Sequence, residues 1–214
     1  MNAKFLALAA VAAMAVSAPA SAVTVLTFEG IPDQAPVGDF YAPDYTFSPA
    51  TLALIDQDAG GTGNFANEPS PSTVMFFLDA NNAILDVTNG FDTGFSFYYS
   101  SSTAATVTVY EGANGTGNIL AQLDLDAQGF DNCTGDPFGD FCNWTAIGVT
   151  FDGIARSIDF GGTANQTGFD NITFGSDTPG NPGVPEPTTW AMMIAGLAVV
   201  GASMRRRRVA VSFA

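Results

Sequence analysis

Ala105-Thr106-Val107-Thr108-Val109-Tyr110 alternates side chains so that Val107 and Val109 fall on one face of an extended chain and Thr106, Thr108 and Tyr110 on the other. Leu123-Asp124-Leu125-Asp126 repeats the pattern, with two leucines against two aspartates. A strand that is dry on one side and wet on the other belongs to an antiparallel sheet covering a core. Outward from this pair, further strand-like runs are read at Val23 to Phe28, Thr51 to Ile55, Thr73 to Leu78, Ala83 to Val87, Gly94 to Tyr99, Asn118 to Leu125, Trp144 to Phe151, Ala155 to Phe160 and Gly168 to Phe174. Turn residues such as Asp79-Ala-Asn-Asn82 and Gly112-Ala-Asn-Gly115 separate them, and no long pattern of period 3.6 appears. The expected fold is all-β, an antiparallel β-sandwich of jelly-roll type filling residues 23–178, with no internal repeat.

The two ends read differently from this body. Lys4 gives a basic start, Phe5 to Val16 an apolar stretch, and Ala20-Ser21-Ala22 an A-x-A site, so residues 1–22 are read as a signal peptide cut by signal peptidase between Ala22 and Val23. Near the other end, residues 179–187 are a Pro/Gly linker, in which Pro185 and Pro187 remove two amide donors and delay any helix. Residues 188–214 then hold Trp190, an uncharged run to Met204, and Arg205, Arg206, Arg207 and Arg208. Seventeen helical residues reach about 25 Å, close to a hydrocarbon core of about 30 Å, so a single C-terminal transmembrane helix is expected. Its arginines are retained on the cytoplasmic side.

Val184, Pro185, Glu186, Pro187, Trp190 and Ala191, followed by the apolar run and the arginine cluster, resemble a PEP-CTERM protein-sorting segment of the PEPxxWA subtype. The resemblance covers only the last 25 to 30 residues. It implies an inner-membrane intermediate with a periplasmic body, cut near Pro-Glu-Pro by an exosortase and passed to the cell surface or the extracellular space. Similar tails also go by the name of ice-binding protein C-terminal domains. An ice-binding face wants a flat Thr array, which Thr106-Val-Thr108 alone does not supply, so that activity stands last among the alternatives.

All 21 acidic residues lie between Glu29 and Glu186, and Arg156 is the only basic side chain in that span, a net charge of −20. Such a body repels nucleic acid and anionic lipid, and invites divalent cations. With no histidine in the chain and no lysine in the body, Ser-His-Asp, Cys-His and Ser-Lys chemistry is excluded. The body is therefore read as a non-catalytic binding or structural module, not an enzyme. The alternative is a secreted, carboxylate-dependent glycan-active enzyme.

Cys133 and Cys142 bracket an eight-residue loop, and in an exported chain their pairing as a disulfide is the simplest reading. Structural calcium is the one cofactor expectation. Asp56 and Asp58 precede a Gly-rich turn, loosely like the start of a calcium loop, although Gly60 and Asn67 stand where that pattern wants ligands. Glu29 and Asp170 form the competing pair. The opening L-T-F-E-G and closing F-D-N-I-T-F resemble the ends of galactose-binding and carbohydrate-binding-module jelly rolls, several of which hold calcium between those ends. Extracellular polysaccharide is the expected ligand class, from the exopolysaccharide-producing bacteria associated with this sorting route, and Tyr41, Tyr45, Phe65, Phe138, Phe141 and Trp144 are the candidate stacking rings.

Overall fold

A computed structural model describes residues 23–128, 133–134, 136, 138–180 and a few positions between 193 and 201. Among the described residues nine strands form: β1 Thr24–Leu26, β2 Tyr45–Phe47, β3 Thr51–Ile55, β4 Thr73–Phe77, β5 Asn82–Ser101, β6 Ala105–Tyr110, β7 Ile119–Leu125, β8 Thr145–Gly161 and β9 Thr167–Phe174. Every pairing is antiparallel. The strands link in the order β3-β4-β9-β5-β8-β6-β7, with β1 on β9 and β2 on β5.

Two strands span both layers of the sandwich. The C-terminal half of β5 pairs with β9 and with the start of β8, whereas its N-terminal half pairs with β2 and the end of β8. The pairing shifts register between Asp86 and Thr93, where β5 and β8 turn the corner from one layer to the other. Thr93 takes φ +69°, Gly90 +71° and Gly153 +103° at this corner. The shift also switches the face of β8 turned to the core. Ile147, Val149 and Phe151 pack inward before it, and Ile158 and Phe160 after it.

Between the layers the core is ring-rich. Phe160, from one layer, lies with its centroid 6.0, 5.8 and 5.0 Å from those of Phe95, Phe97 and Phe169 in the other. All four rings are fully buried, in the edge-on geometry that aromatic pairs favour. Val107, Val109, Leu123 and Leu125 line the opposite wall, while Asp124 and Asp126 stay exposed.

The structure departs from the sequence reading in three places. Thr88 to Thr93 and Asp152 to Ile154 look like hairpin turns, but each strand runs on through them, bent by bulges, merging four expected strands into two. Tyr45–Phe47 was not expected as a strand, being three residues long and preceded by Pro43-Asp44. After β9 the chain does not leave the sheet at residue 178. It stays on it through Gly180, with Pro179 buried.

Cys133 and Cys142 are joined, their Cα atoms 5.6 Å apart. The closed loop lies against residues 64–66, through Ala66 N–H to Phe141 O at 3.0 Å and Phe141 N–H to Asn64 O at 3.1 Å. Together these segments cover Val74 and Phe76 on the outer face of β4, which are 1% and 5% exposed.

Replacing Phe160 with alanine is expected to lower stability by about 3 to 5 kcal/mol, read from urea unfolding, because one ring closes contacts to three others across the layers. Reducing the disulfide is expected to cost roughly 2 to 3 kcal/mol by the same measurement, since the loop it closes is short.

Candidate functional site

At the corner where β5 and β8 change layers, the outer surface opens into a cleft of about 600 Å³, lined by Asp92, Thr93, Thr150, Phe151, Asp152, Gly153 and Ile154. Its size falls within the usual range of small-ligand sites, about 300 to 1,000 Å³. Asp92 and Asp152 present exposed carboxylates, Thr93 and Thr150 hydroxyls, and Ile154 an apolar side chain left 55% exposed. Thr93 is held in the left-handed region, where a β-branched residue is strained. Such strain persists only where the surroundings enforce it, and it concentrates at functional positions. Sequence reasoning passed over this cleft because Asp92-Thr-Gly94 and Asp152-Gly153 read as ordinary turn chemistry. The available signal was a polar turn inserted between two runs that pair with the same partner strand.

A second polar centre lies where the first and last strands meet. Glu29 accepts N–H bonds from Ser72 and Thr73 at 3.0 and 2.9 Å, and both hydroxyls of these residues reach its other oxygen. Asp170, fully buried, accepts from the Ser70 N–H at 2.7 Å, the Ser70 hydroxyl at 2.8 Å and the Asn171 N–H at 2.6 Å. The two carboxylates thus fasten adjacent residues of the segment entering β4. Burial pushes the Asp170 carboxyl up to about 7, and the nearby Glu29 charge adds to the shift, against the pull of the Ser70 and Asn171 donors. The Tyr41 hydroxyl accepts the Phe28 N–H at 2.7 Å, and burial with the charges of Asp170 and Glu29 pushes its phenol up to about 12.

No basic side chain relieves this pair. Arg156, the body's only cation, donates to Thr88 O instead. By charge and burial the pair fits a divalent ion. By number it supplies two carboxylates toward the six to eight oxygens calcium takes, so backbone carbonyls would complete any shell. Among the described residues no group of three or more Asp, Glu, His or Cys side chains is gathered in one place.

The other sequence candidates are dispersed. Asp56 and Asp58 sit on a turn closed by backbone bonds, Gly61 N–H to Asp56 O at 2.9 Å among them. Burial raises Asp56, with Asp136 and Asp58 adding to it, and Glu68 is raised by burial and then by Asp56, Glu29 and Asp136. Tyr41 and Tyr45 pack inward, the latter stacked on Phe174 at 4.8 Å. Phe65, Phe141 and Trp144 come together over the outer face of β4, where the Trp144 indole N–H donates to Ala66 O at 3.1 Å. The hollow there holds about 30 Å³, room for one water, so these rings cover the sheet more than they offer a pocket. Phe138 is 51% exposed at the tip of the disulfide loop. Val23 is described and lies just before β1. Ala20, Ala22, Val184, Pro185, Glu186, Pro187, Trp190, Ala191 and Arg205 to Arg208 lie outside the described residues. Among the described residues no helix is long and apolar enough to cross a membrane.

No curated protein matches the chain. Among solved structures, a family 6 carbohydrate-binding module is similar over 71% of this chain and 92% of its own, at 13% identity and TM-score 0.39. TmCBM61 in complex with β-1,4-galactotriose is similar over 67% and 97%, at 12% identity and TM-score 0.37. A glycoside hydrolase family 43 arabinoxylan arabinofuranohydrolase from Bacillus subtilis covers 60% of this chain but only 25% of its own length is matched, at 16% identity and TM-score 0.38. Residues 183–208 match the PEP-CTERM protein-sorting motif, wholly beyond the sandwich. The chain thus carries, behind an antiparallel β-sandwich, the sorting motif of an exosortase-targeted surface protein.

Proposed function

We propose that the sandwich is a non-catalytic binding module for extracellular polysaccharide, displayed after exosortase removes the tail, with the corner cleft as its site. The cleft carries this reading. It is open enough for a sugar chain to lie across it, and its carboxylates and hydroxyls suit the hydroxyl pairs of a pyranose. Ile154 offers apolar surface to the ring faces. Charge narrows the ligand class further. A body with twenty acids against one arginine disfavours polyanionic polysaccharides and leaves neutral or amine-bearing ones. A glycosidase sets one of its two carboxyls against an apolar wall, whereas Asp92 and Asp152 are both exposed.

In affinity electrophoresis the full mature protein should be retarded by a neutral glucan or a partly deacetylated amino-sugar polymer, and not by alginate at low salt. Asp152→Asn should weaken that retardation by about tenfold with unfolding unchanged, as expected for loss of a hydrogen bond to a charged group. Hydrolysis of the polymer, lost on substitution of Asp92 or Asp152, would establish the enzyme reading in its place.

We also propose that Glu29 and Asp170 bind a structural calcium, because a buried carboxyl and a half-buried one beside it have no cation of their own. The pH dependence separates the two states. Without calcium the folded Asp170 binds its proton up to about pH 7, far above its unfolded value near 3.8, so folding takes up a proton between those limits. Stability from this group is then present at low pH and falls as pH rises toward 7, by up to about 1.4 kcal/mol per pH unit. Calcium requires the ionised form, so in millimolar calcium that loss should disappear. Thermal melts at pH 5 and pH 8, in calcium and in chelator at equal ionic strength, should diverge only at pH 8. Coincident melts at pH 8 would remove calcium from the account.

A further inference from the structure

Residues 175–180, which lead from β9 toward the sorting motif, are laid down on the outer face of the sheet. Thr173 on β9, Ser96 on β5 and Gly148 on β8 pair in register, forming one row of small residues across three strands. Ser96 and Thr173 are fully buried although they point away from the core. What buries them is the chain itself. Gly175 N–H donates to Gly94 O at 2.9 Å, the Ser96 hydroxyl to Ser176 O at 2.9 Å, and Gly180 N–H to the Thr173 hydroxyl at 3.0 Å. Gly175 and Gly180 take φ +81° and +70°, and the first lets the chain turn onto the sheet.

The cradle exists only because two strand positions lack a side chain. A Cβ on Gly94 would stand 2.8 Å from the Ser176 carbonyl carbon and 2.9 Å from the Asp177 nitrogen, and one on Gly148 would collide with the Asp177 carbonyl. Glycine weakens a strand interior, so its presence at both points marks a close approach of backbone.

We propose that this strap sets the length of free chain between the sandwich and the sorting motif, and that Gly94, Ser96 and Gly148 are positioning residues for its processing. The inference rests on the sorting motif and not on the glycan reading. With the strap docked, five Cα steps separate Gly180 from Pro185, a reach of at most about 18 Å. Released from Phe174 onward, the same chain would reach about 40 Å. A domain of this size is itself about 40 Å across, from its expected radius of gyration. The docked tether therefore holds the body hard against the membrane and limits the extended chain available to the processing enzyme, so the strap slows cleavage.

The test uses the full chain, exported in a host that carries an exosortase, with precursor and mature forms followed by pulse-chase and intact mass. Gly148→Ala should displace the strap. An insertion of six Gly/Ser residues after Gly180 should lengthen the tether without touching the cradle. Both should speed processing threefold or more. In the processed protein, hydrogen exchange at Gly175 and Gly180 should be protected about 100-fold in wild type, and at least tenfold less so in Gly148→Ala, with β5 and β8 still protected. Unprotected amides in wild type overturn the proposal, as does a processing rate that is unchanged or slower in the insertion variant. If Gly148→Ala fails to reach the membrane, the insertion decides alone.

Discussion

Phe160 against Phe95, Phe97 and Phe169 is the contact that makes two layers one body. Phe95 and Phe97 come from the second half of β5 and Phe160 from the second half of β8, two strands that each run through both layers. For those rings to meet, both strands must bend at the same level, and each bend requires a backbone that leaves the pleat. Gly90, Thr93 and Gly153 supply it with positive φ. The corner cleft is the outer consequence of the same bend. Its strained Thr93 is tolerable because the ring cluster behind it fixes the geometry on either side.

A body this acidic holds its loops with donors taken from the backbone. Glu29 and Asp170 do for the segment 70–73 what ion pairs do in a protein of mixed charge, accepting N–H and O–H bonds from Ser70, Ser72 and Thr73. Asp33 fastens the Ile55 N–H at 2.8 Å and Asp136 the Phe138 N–H at 2.8 Å in the same manner. Bonds to a charged acceptor are worth about 1.5 to 3 kcal/mol each, more than a neutral pair, which helps offset the mutual repulsion of the acids. Where burial is deepest, at Asp170, desolvation raises the carboxyl, and the Glu29 charge adds to it.

The alternating runs of β6 and β7 were legible because each has one dry face and one wet face, and the pattern survives folding unchanged. Strand ends were less so. Asn89-Gly90 and Asp152-Gly153 have the composition of hairpin turns, yet what decides between a turn and a bulge is whether a partner strand continues alongside, which is a tertiary fact. The aromatic candidates misled for a related reason. Phe65, Phe141 and Trp144 lie on loops, as expected of stacking rings, but the disulfide loop folds back over the sheet and turns them into cover for Val74 and Phe76. The cleft has no aromatic signature beyond Phe151, and no spacing in the sequence announces it. The strap was hidden in the same way, since Ser176-Asp-Thr178 reads as the end of the sandwich and Pro179-Gly180 as the start of a solvated linker until Gly94 and Gly148 are seen beneath them.

The cleft and the strap occupy one corner of the molecule. Gly94 follows Thr93 in the chain and pairs with Thr150, while Gly148 lies two residues before it. Lining of the cleft and floor of the cradle are therefore consecutive residues on the same two strands. The two bends that built the core thus also place the lining of the cleft and the floor of the cradle side by side on one stretch of β5 and β8.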